Sequence, residues 1–315
     1  MLLVMLAALV PAQQVSRPLP RAASGERQAP EIVQSGEEVN EGEVVRVTAS
    51  LVSVPVSVID RQGKYVVDLQ QRDFRIYEDG VEQSITHFNN VDQPFSVVLL
   101  LDTSGSTTSS LAQMKAAAKS FVAQLRSEDT VQPVYFHGEI KALTTKAISD
   151  PSLLGAAIDQ MSPGPIDMGT RLYDAVDFAL NALQPASGRK AVILFTDGEN
   201  TWGKATMKST LLRAEESEVI IYTLQYGNPP AQKYLRQLAE KTGGRYFMAP
   251  DVGTINRSLA EAAEELRRQY VLGYQPSEAA QKRQERKITV KVHLQRVAVR
   301  ARRSYTMNST KDSAN

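Results

Sequence analysis

The stretch Ser96-Val97-Val98-Leu99-Leu100-Leu101-Asp102-Thr103-Ser104-Gly105-Ser106 decides the fold class. Its first half is pure strand character, the short apolar run of a buried strand. Its second half sets one carboxylate and two hydroxyls, spaced Asp-x-Ser-x-Ser, at the strand's carboxyl end. Open α/β sheets place their ligands there. Hard oxygen donors of this kind suit a small dication such as Mg²⁺. The stretch predicts a metal-dependent recognition site rather than a catalytic one.

Moving outward, strands and helices alternate. Leu111, Met114, Ala118, Val122 and Leu125 share one helical face, in a helix expected to begin near Ser109. Strands are expected over 131–136, 191–195, 219–224 and 245–248, and helices over 151–161, 171–183, 206–217 and 231–241. Gly243-Gly244 reads as a helix C-cap. Ile255, Leu259, Ala262 and Leu266 mark a last amphipathic helix. The pattern predicts a doubly wound, mostly parallel sheet with helices on both faces.

The flanks read differently. Val45, Val47, Ala49 and Leu51 alternate with polar or small residues, and Val52, Val54, Val56 and Val58 continue in the opposite phase. Pro55 suggests an edge strand. Asp79-Gly80 reads as a hairpin turn between strands over 73–78 and 81–88. Beyond Gln269, strands are expected over 270–274, 288–294 and 297–305. Neither flank has enough apolar surface alone. We therefore expect them to pair into one small β-sandwich-like domain, with the α/β domain inserted between. A basic series there (Lys282, Arg283, Arg286, Lys287, Lys291, Arg296, Arg300, Arg302, Arg303) reads as the solvated face of those strands.

The chain of 315 residues has a net charge of +1, so nothing global points to nucleic acid. Cysteine is absent, which removes disulfides, thiolate metal sites and cysteine nucleophiles. The apolar run from Leu2 to Val10 reads as an export signal over 1–12, although no Lys or Arg precedes it. Residues 13–43 read as a disordered linker. The expected division continues as a first β part over 44–92, the α/β domain over 93–268, a second β part over 269–306 and a flexible tail over 307–315. No other segment is apolar for long enough to span a bilayer. The expected location is the periplasm or the exterior.

Three strand-exit loops carry oxygen donors: Asp102, Ser104 and Ser106; then Asp167-Met168-Gly169-Thr170; then Thr196-Asp197-Gly198. Taken singly, a Thr before a helix is a cap and an Asp-Gly is a turn. Together, in this order, they resemble the von Willebrand factor A-type domain and its metal-ion-dependent adhesion site, over about residues 93–268. The resemblance implies a non-enzymatic protein. It implies direct metal ligation by Ser104 and Ser106, by Thr170 in a high-affinity state, and largely water-mediated roles for Asp102 and Asp197. It implies Mg²⁺, with Mn²⁺ or Ca²⁺ as alternatives, and a protein partner whose Asp or Glu carboxylate completes the coordination. Met168, where a small residue is common, and Thr107, where Met is frequent, are departures. Trp202, Asp167 and Met168 are candidates for partner contact. The flanks, with Asp73-Phe74, Tyr77-Glu78-Asp79-Gly80 and Tyr274-Gln275-Pro276, resemble an A-related family common in Acidobacteria.

Two rival readings stand. One is a degenerate A-type scaffold without metal. The other is an aspartic-protease-like hydrolase, suggested by Leu101-Asp102-Thr103 but lacking a second matching loop and an all-β setting.

Overall fold

The structure, a computed structural model, describes residues 51–90, 93–165, 168–226, 232–276 and 285–306. The expected export signal, the linker, the alternation over 45–49, the tail from 307 and Asp167 all lie outside the described residues. In chain order the first strands are β1 (Val52–Ile59), β2 (Phe74–Glu78), β3 (Val81–Gln83) and β4 (His87–Asn89). Then follow β5 (Phe95–Asp102), α1 (Leu111–Val122), β6 (Thr130–Phe136), β7 (Ile140–Ala142), α2 (Pro151–Asp159) and α3 (Leu172–Leu183). Next come β8 (Arg189–Thr196), α4 (Met207–Glu216), β9 (Val219–Tyr226), α5 (Lys233–Thr242), β10 (Tyr246–Ala249) and α6 (Val252–Arg268). The chain closes with β11 (Tyr270–Tyr274), β12 (Glu285–Val292), β13 (Ala298–Ala301) and β14 (Ser304–Thr306).

The central sheet has the order β10-β9-β8-β5-β6-β7, parallel except for the edge strand β7. β5 lies between β6 and β8. Val97, Leu99 and Leu101 enter one core with Met114, Phe121, Leu154, Leu259 and Leu266, from α1, α2 and α6. Val98 and Leu100 enter the other with Val176, Leu180, Leu211 and Leu235, from α3, α4 and α5. Burial on both faces is why the strand reads as an unbroken apolar run. The doubly wound α/β expectation holds.

The flanking strands form two four-stranded antiparallel sheets, β13-β1-β11-β4 and β14-β12-β2-β3. Each sheet combines strands from both ends of the described chain. Val52, Val54, Val56, Val58, Leu272 and Tyr274 from one sheet share a core with Phe74, Ile76, Ile288 and Tyr305 from the other. The expected pairing of the two flanks into a sandwich is observed.

Four details differ from the sequence reading. Pro55 is not on an edge strand, because β1 is paired on both sides. However, pairing with β13 starts only at Val56, so the proline lies past the end of that neighbour. The expected strand over 81–88 is two strands in different sheets, β3 and β4, and the one over 297–305 is likewise β13 and β14. In each case the chain crosses between sheets mid-segment. A short 3-10 helix, Gly105–Ser110, precedes α1 and delays its start to Leu111. Finally, the described part of the basic series is not simply a solvated face; Lys282 and Arg283 lie outside the described residues. Arg286 is buried on Glu78 at 3.1 Å, Arg300 bonds Glu265 at 2.7 Å, and Arg302 is buried against the Glu215 carbonyl.

The last helix is fixed at its C-terminus by Arg189, the first residue of β8. Its guanidinium donates to the carbonyls of Leu266, Arg267, Gln269 and Asn90. One side chain thus satisfies helix-end acceptors that the helix itself leaves open. A turn earlier, fully buried Glu265 accepts from Ser57 of β1, Tyr65 and Arg300 of β13. The α/β core and the sandwich therefore share a polar seam along α6.

Candidate functional site

The site is built where β5 and β8 end side by side. Asp102, the last residue of β5, is fully buried. Its Oδ1 accepts from the Ser104 amide at 2.9 Å and its Oδ2 from the Thr196 hydroxyl at 2.6 Å. Thr103 ties the loop to β6 by donating its amide to the Phe136 carbonyl. Buried Thr107 donates its hydroxyl to the carbonyls of Asp102 and Ser104, at 2.8 and 2.9 Å. A Met there could not make those bonds, so the departure at Thr107 has a structural role.

The hydroxyls of Ser104 and Ser106 lie 3.2 Å apart, and Ser106 donates to Asp197 Oδ2 at 2.5 Å. Asp197 also accepts from the Glu199 amide. Gly198 sits at φ 93°, where a side chain would also run into Gln232, so the Asp-Gly pair is required for this turn. Asp102, Ser104, Ser106 and Asp197 are thus joined in one hydrogen-bonded set.

Thr170 is reached differently. Its side chain does not cap α3; the residue before the helix is Arg171. Its amide donates to Thr201 Oγ1 at 2.8 Å, and its carbonyl accepts from the amides of Thr201 and Trp202. The structure links Thr170 to the segment just after Asp197 rather than to the other four residues directly. Gly169, at φ 66°, leaves room for the Thr201 hydroxyl. The Arg171 amide donates to the His137 carbonyl, which suspends this loop from the end of β6. The His137 ring is buried and accepts from the Glu139 amide; burial holds the imidazole below its ordinary value.

Trp202 is 63 % exposed, on a segment whose backbone is firmly held. Asp174 of α3 accepts from the Lys204 and Ala205 amides and from the Arg171 guanidinium, and Tyr173 donates its amide to Asn200. Met168 is half-buried and lies against Gly138. Sequence reasoning assigned no role to Thr107, Thr196, Thr201 or Asp174. Each holds a site loop, and only Thr196 stood inside a quoted motif.

The electrostatics single out Asp102. The buried acids among the described residues are Glu78, Asp102, Asp129, Glu215 and Glu265. Arg286, Arg267, Lys241 and Arg300 pair with Glu78, Asp129, Glu215 and Glu265 respectively. Asp102 has hydroxyl and amide donors but no basic side chain. Burial pushes its carboxyl up to about 6. The hydrogen bonds from Ser104 and Thr196 work against that rise, and the neighbouring Asp197 adds to it. A buried carboxylate without a cation is costly. With two seryl hydroxyls and a second carboxylate beside it, the donor set fits a small hard cation. No group of three or more His, Cys, Asp or Glu that could hold a metal occurs among the described residues. Any cation held here would rest largely on hydroxyls.

The family model of the von Willebrand factor type A domain matches residues 96–262. None of the curated proteins matches the chain. Among solved structures, a von Willebrand factor type A protein from Catenulispora acidiphila is similar at 11 % identity and a TM-score of 0.51, over 85 % of this chain and 76 % of that one. Proximal thread matrix protein 1 from the mussel byssus, with a zinc-occupied metal-ion-dependent adhesion motif, is similar at 19 % identity and a TM-score of 0.50, over 58 % of this chain and 48 % of that one.

Proposed function

The chain belongs to the von Willebrand factor type A family, and from that premise we propose that it is an exported, non-enzymatic protein that binds a protein partner through a metal ion. Asp102, Ser104, Ser106, Thr170 and Asp197 hold the ion, and an Asp or Glu carboxylate of the partner completes its coordination. Proteins of this family commonly mediate protein–protein interactions. The observation that carries the reading is Asp102, which among the described residues is the buried acid with no basic partner. Ser104 and Thr196 fix both oxygens of that carboxylate, and Ser106 and Asp197 close the other side. Mg²⁺ ligated by neutral hydroxyls stays electrophilic and leaves a position for an incoming carboxylate. An all-oxygen set favours Mg²⁺ over softer metals, with Mn²⁺ and Ca²⁺ as alternatives. Export rests on the apolar run before residue 12. No described helix is long and apolar enough to cross a membrane.

Calorimetric titration of the wild type and Asp102→Ala with Mg²⁺, Mn²⁺, Ca²⁺ and Zn²⁺ tests the site. Zn²⁺ is included because the mussel protein carries it in this motif. The expected result is a saturable heat in the wild type that is lost in the variant. No heat from any of the four would favour the metal-free scaffold. Capture of an envelope protein that is released by EDTA tests the partner.

A further inference from the structure

A second charged region lies away from the metal-site face, where α5 and β10 meet the end of the sandwich. A cleft of about 240 Å³ opens there, lined by Arg236, Glu240, Arg245, Tyr246, Arg300 and Arg303, with the glycines that end α5. Arg236 comes from α5, Arg245 from the entry to β10, Arg300 from β13 and Arg303 from the β13–β14 link. Both halves of the seam thus contribute two guanidinium groups.

These side chains are largely held in place. Arg236 sits over the Tyr246 ring at 4.8 Å, and Arg245 over the Phe247 ring at 4.4 Å. Arg245 NH1 bonds Glu261 at 2.7 Å, and Arg300 NH1 bonds Glu265 at 2.7 Å. A guanidinium has five N–H donors, so these ion pairs leave donors on both arginines. Arg236 and Arg303 form no ion pair among the described residues. Only Glu240 among the lining groups is acidic. With Arg245 and Arg300 already paired, the positive excess of the cleft rests on Arg236 and Arg303 against Glu240, and a bound anion would compensate it. The stacked or ion-paired guanidiniums of Arg236, Arg245 and Arg300 also lose little conformational entropy on binding, and forked donors match tetrahedral oxyanions.

We propose that this cleft is a binding site for a small multivalent oxyanion of the phosphate class, which bridges the α/β core and the sandwich. The cleft is small enough to favour a single such group over an extended ligand. The site is independent of the metal-binding reading and stands or falls separately.

The test is binding of inorganic phosphate to the full chain in EDTA, by calorimetry at constant ionic strength set with chloride. The same titration is run on Arg236→Ala/Arg303→Ala and on a control, Lys208→Ala. Arg236 and Arg303 are both exposed, and a thermal melt checks that the double variant folds. Expected is saturable one-to-one binding by the wild type and the control, weakened roughly tenfold or more in the double variant. Arg236→Lys/Arg303→Lys should recover only part of it, because Lys keeps the charge without the fork. The proposal is overturned if phosphate does not bind saturably, if chloride competes equally at the same ionic strength, or if the double variant binds as the wild type does.

Discussion

The carboxyl end of the central sheet and the seam along α6 treat buried charge in opposite ways. At the seam buried Glu265 meets Arg300, and where α4 and α5 adjoin the sandwich buried Glu215 likewise meets Lys241. At the sheet end Asp102 meets only hydroxyls and amides. The seam is neutralised from within the chain, as a region that holds two parts together should be. The sheet end is left in need of positive charge, as a region that takes a cation from solution should be. One consequence is that stability and metal binding should separate cleanly under mutation.

Arg300→Ala offers the hardest test of that separation. It leaves Glu265 fully buried with Ser57 and Tyr65 but no base. Removing one partner of a wholly buried pair costs about 3–5 kcal/mol, and the part-exposed Arg300 guanidinium puts this pair lower, at about 2–3 kcal/mol. Chemical denaturation should show a loss of that size, with metal affinity unchanged in whatever fraction stays folded. A cost under about 1 kcal/mol would mean that Glu265 finds water and that the seam is not dry.

The pH dependence at Asp102 is the next largest effect. Burial pushes its carboxyl up to about 6 in the folded chain without metal, above the ordinary 3.8. The folded state therefore binds more protons than the unfolded state between those values, and stability falls as pH rises through that window. The effect is on the order of 2 kcal/mol once solvent relaxation is allowed for. In EDTA, denaturation midpoints should decline from about pH 4 to about pH 6 through this group. Asp102→Asn should flatten the decline, and saturating Mg²⁺ should reverse it, because bound metal favours the ionised form. Equal profiles for the wild type and Asp102→Asn would remove the electrostatic contrast.

A subtler effect is expected at Thr196, whose hydroxyl donates to Asp102 and accepts from the Gly198 amide of the Asp197 loop at 3.0 Å. Thr196→Val removes the hydroxyl that donates to Oδ2 but keeps the shape. Loss of such an orienting partner typically weakens metal binding about 10–100-fold. Ser106→Ala, which deletes an expected direct ligand, should weaken it more. The reverse order would mean that the carboxylate, rather than the hydroxyls, dominates the coordination.

The parts of this molecule that were legible in its sequence were those whose signal is local. Residues 97–101 announce a strand covered on both faces, because no polar residue interrupts them. Asp102, Ser104 and Ser106 are within five residues of one another, so their convergence follows from the loop itself. The sandwich strands were legible as strands but not as members of particular sheets. Alternation continues through 81–88 and 297–305 although the chain changes sheets inside both segments. Period two reports which face a residue takes, not which neighbour its backbone finds. Thr196 was invisible as a positioning group because its partner lies 94 residues away. The basic strands misled for the same reason, since Arg286 finds Glu78 across 208 residues. A charge on one strand carries no record of the acid that faces it.

The smallest expected effect on the fold, and the one that most directly probes partner binding, is at Trp202. Its amide donates to the Thr170 carbonyl, and its neighbours are tied to α3 through Asp174 and Asn200. The indole is therefore held outward by its backbone, not by packing. Trp202→Ala should change stability by no more than about 0.5 kcal/mol, as surface substitutions do. Metal affinity should also hold, because the bonds to Thr170 come from backbone amides and from Thr201. Partner capture is a different matter. An exposed aromatic on a rigid loop beside the site has the character of a binding hot spot, where truncation costs about 2 kcal/mol or more. Trp202→Ala should then lose most of the EDTA-sensitive capture while keeping the metal heat. If capture survives intact, the partner approaches from the Ser104–Ser106 side and leaves the Thr170 rim uncovered. Because the chain has one tryptophan, fluorescence reads the same question in the wild type. Metal alone should perturb the indole slightly, through Thr170, and partner should shift it strongly as water is excluded.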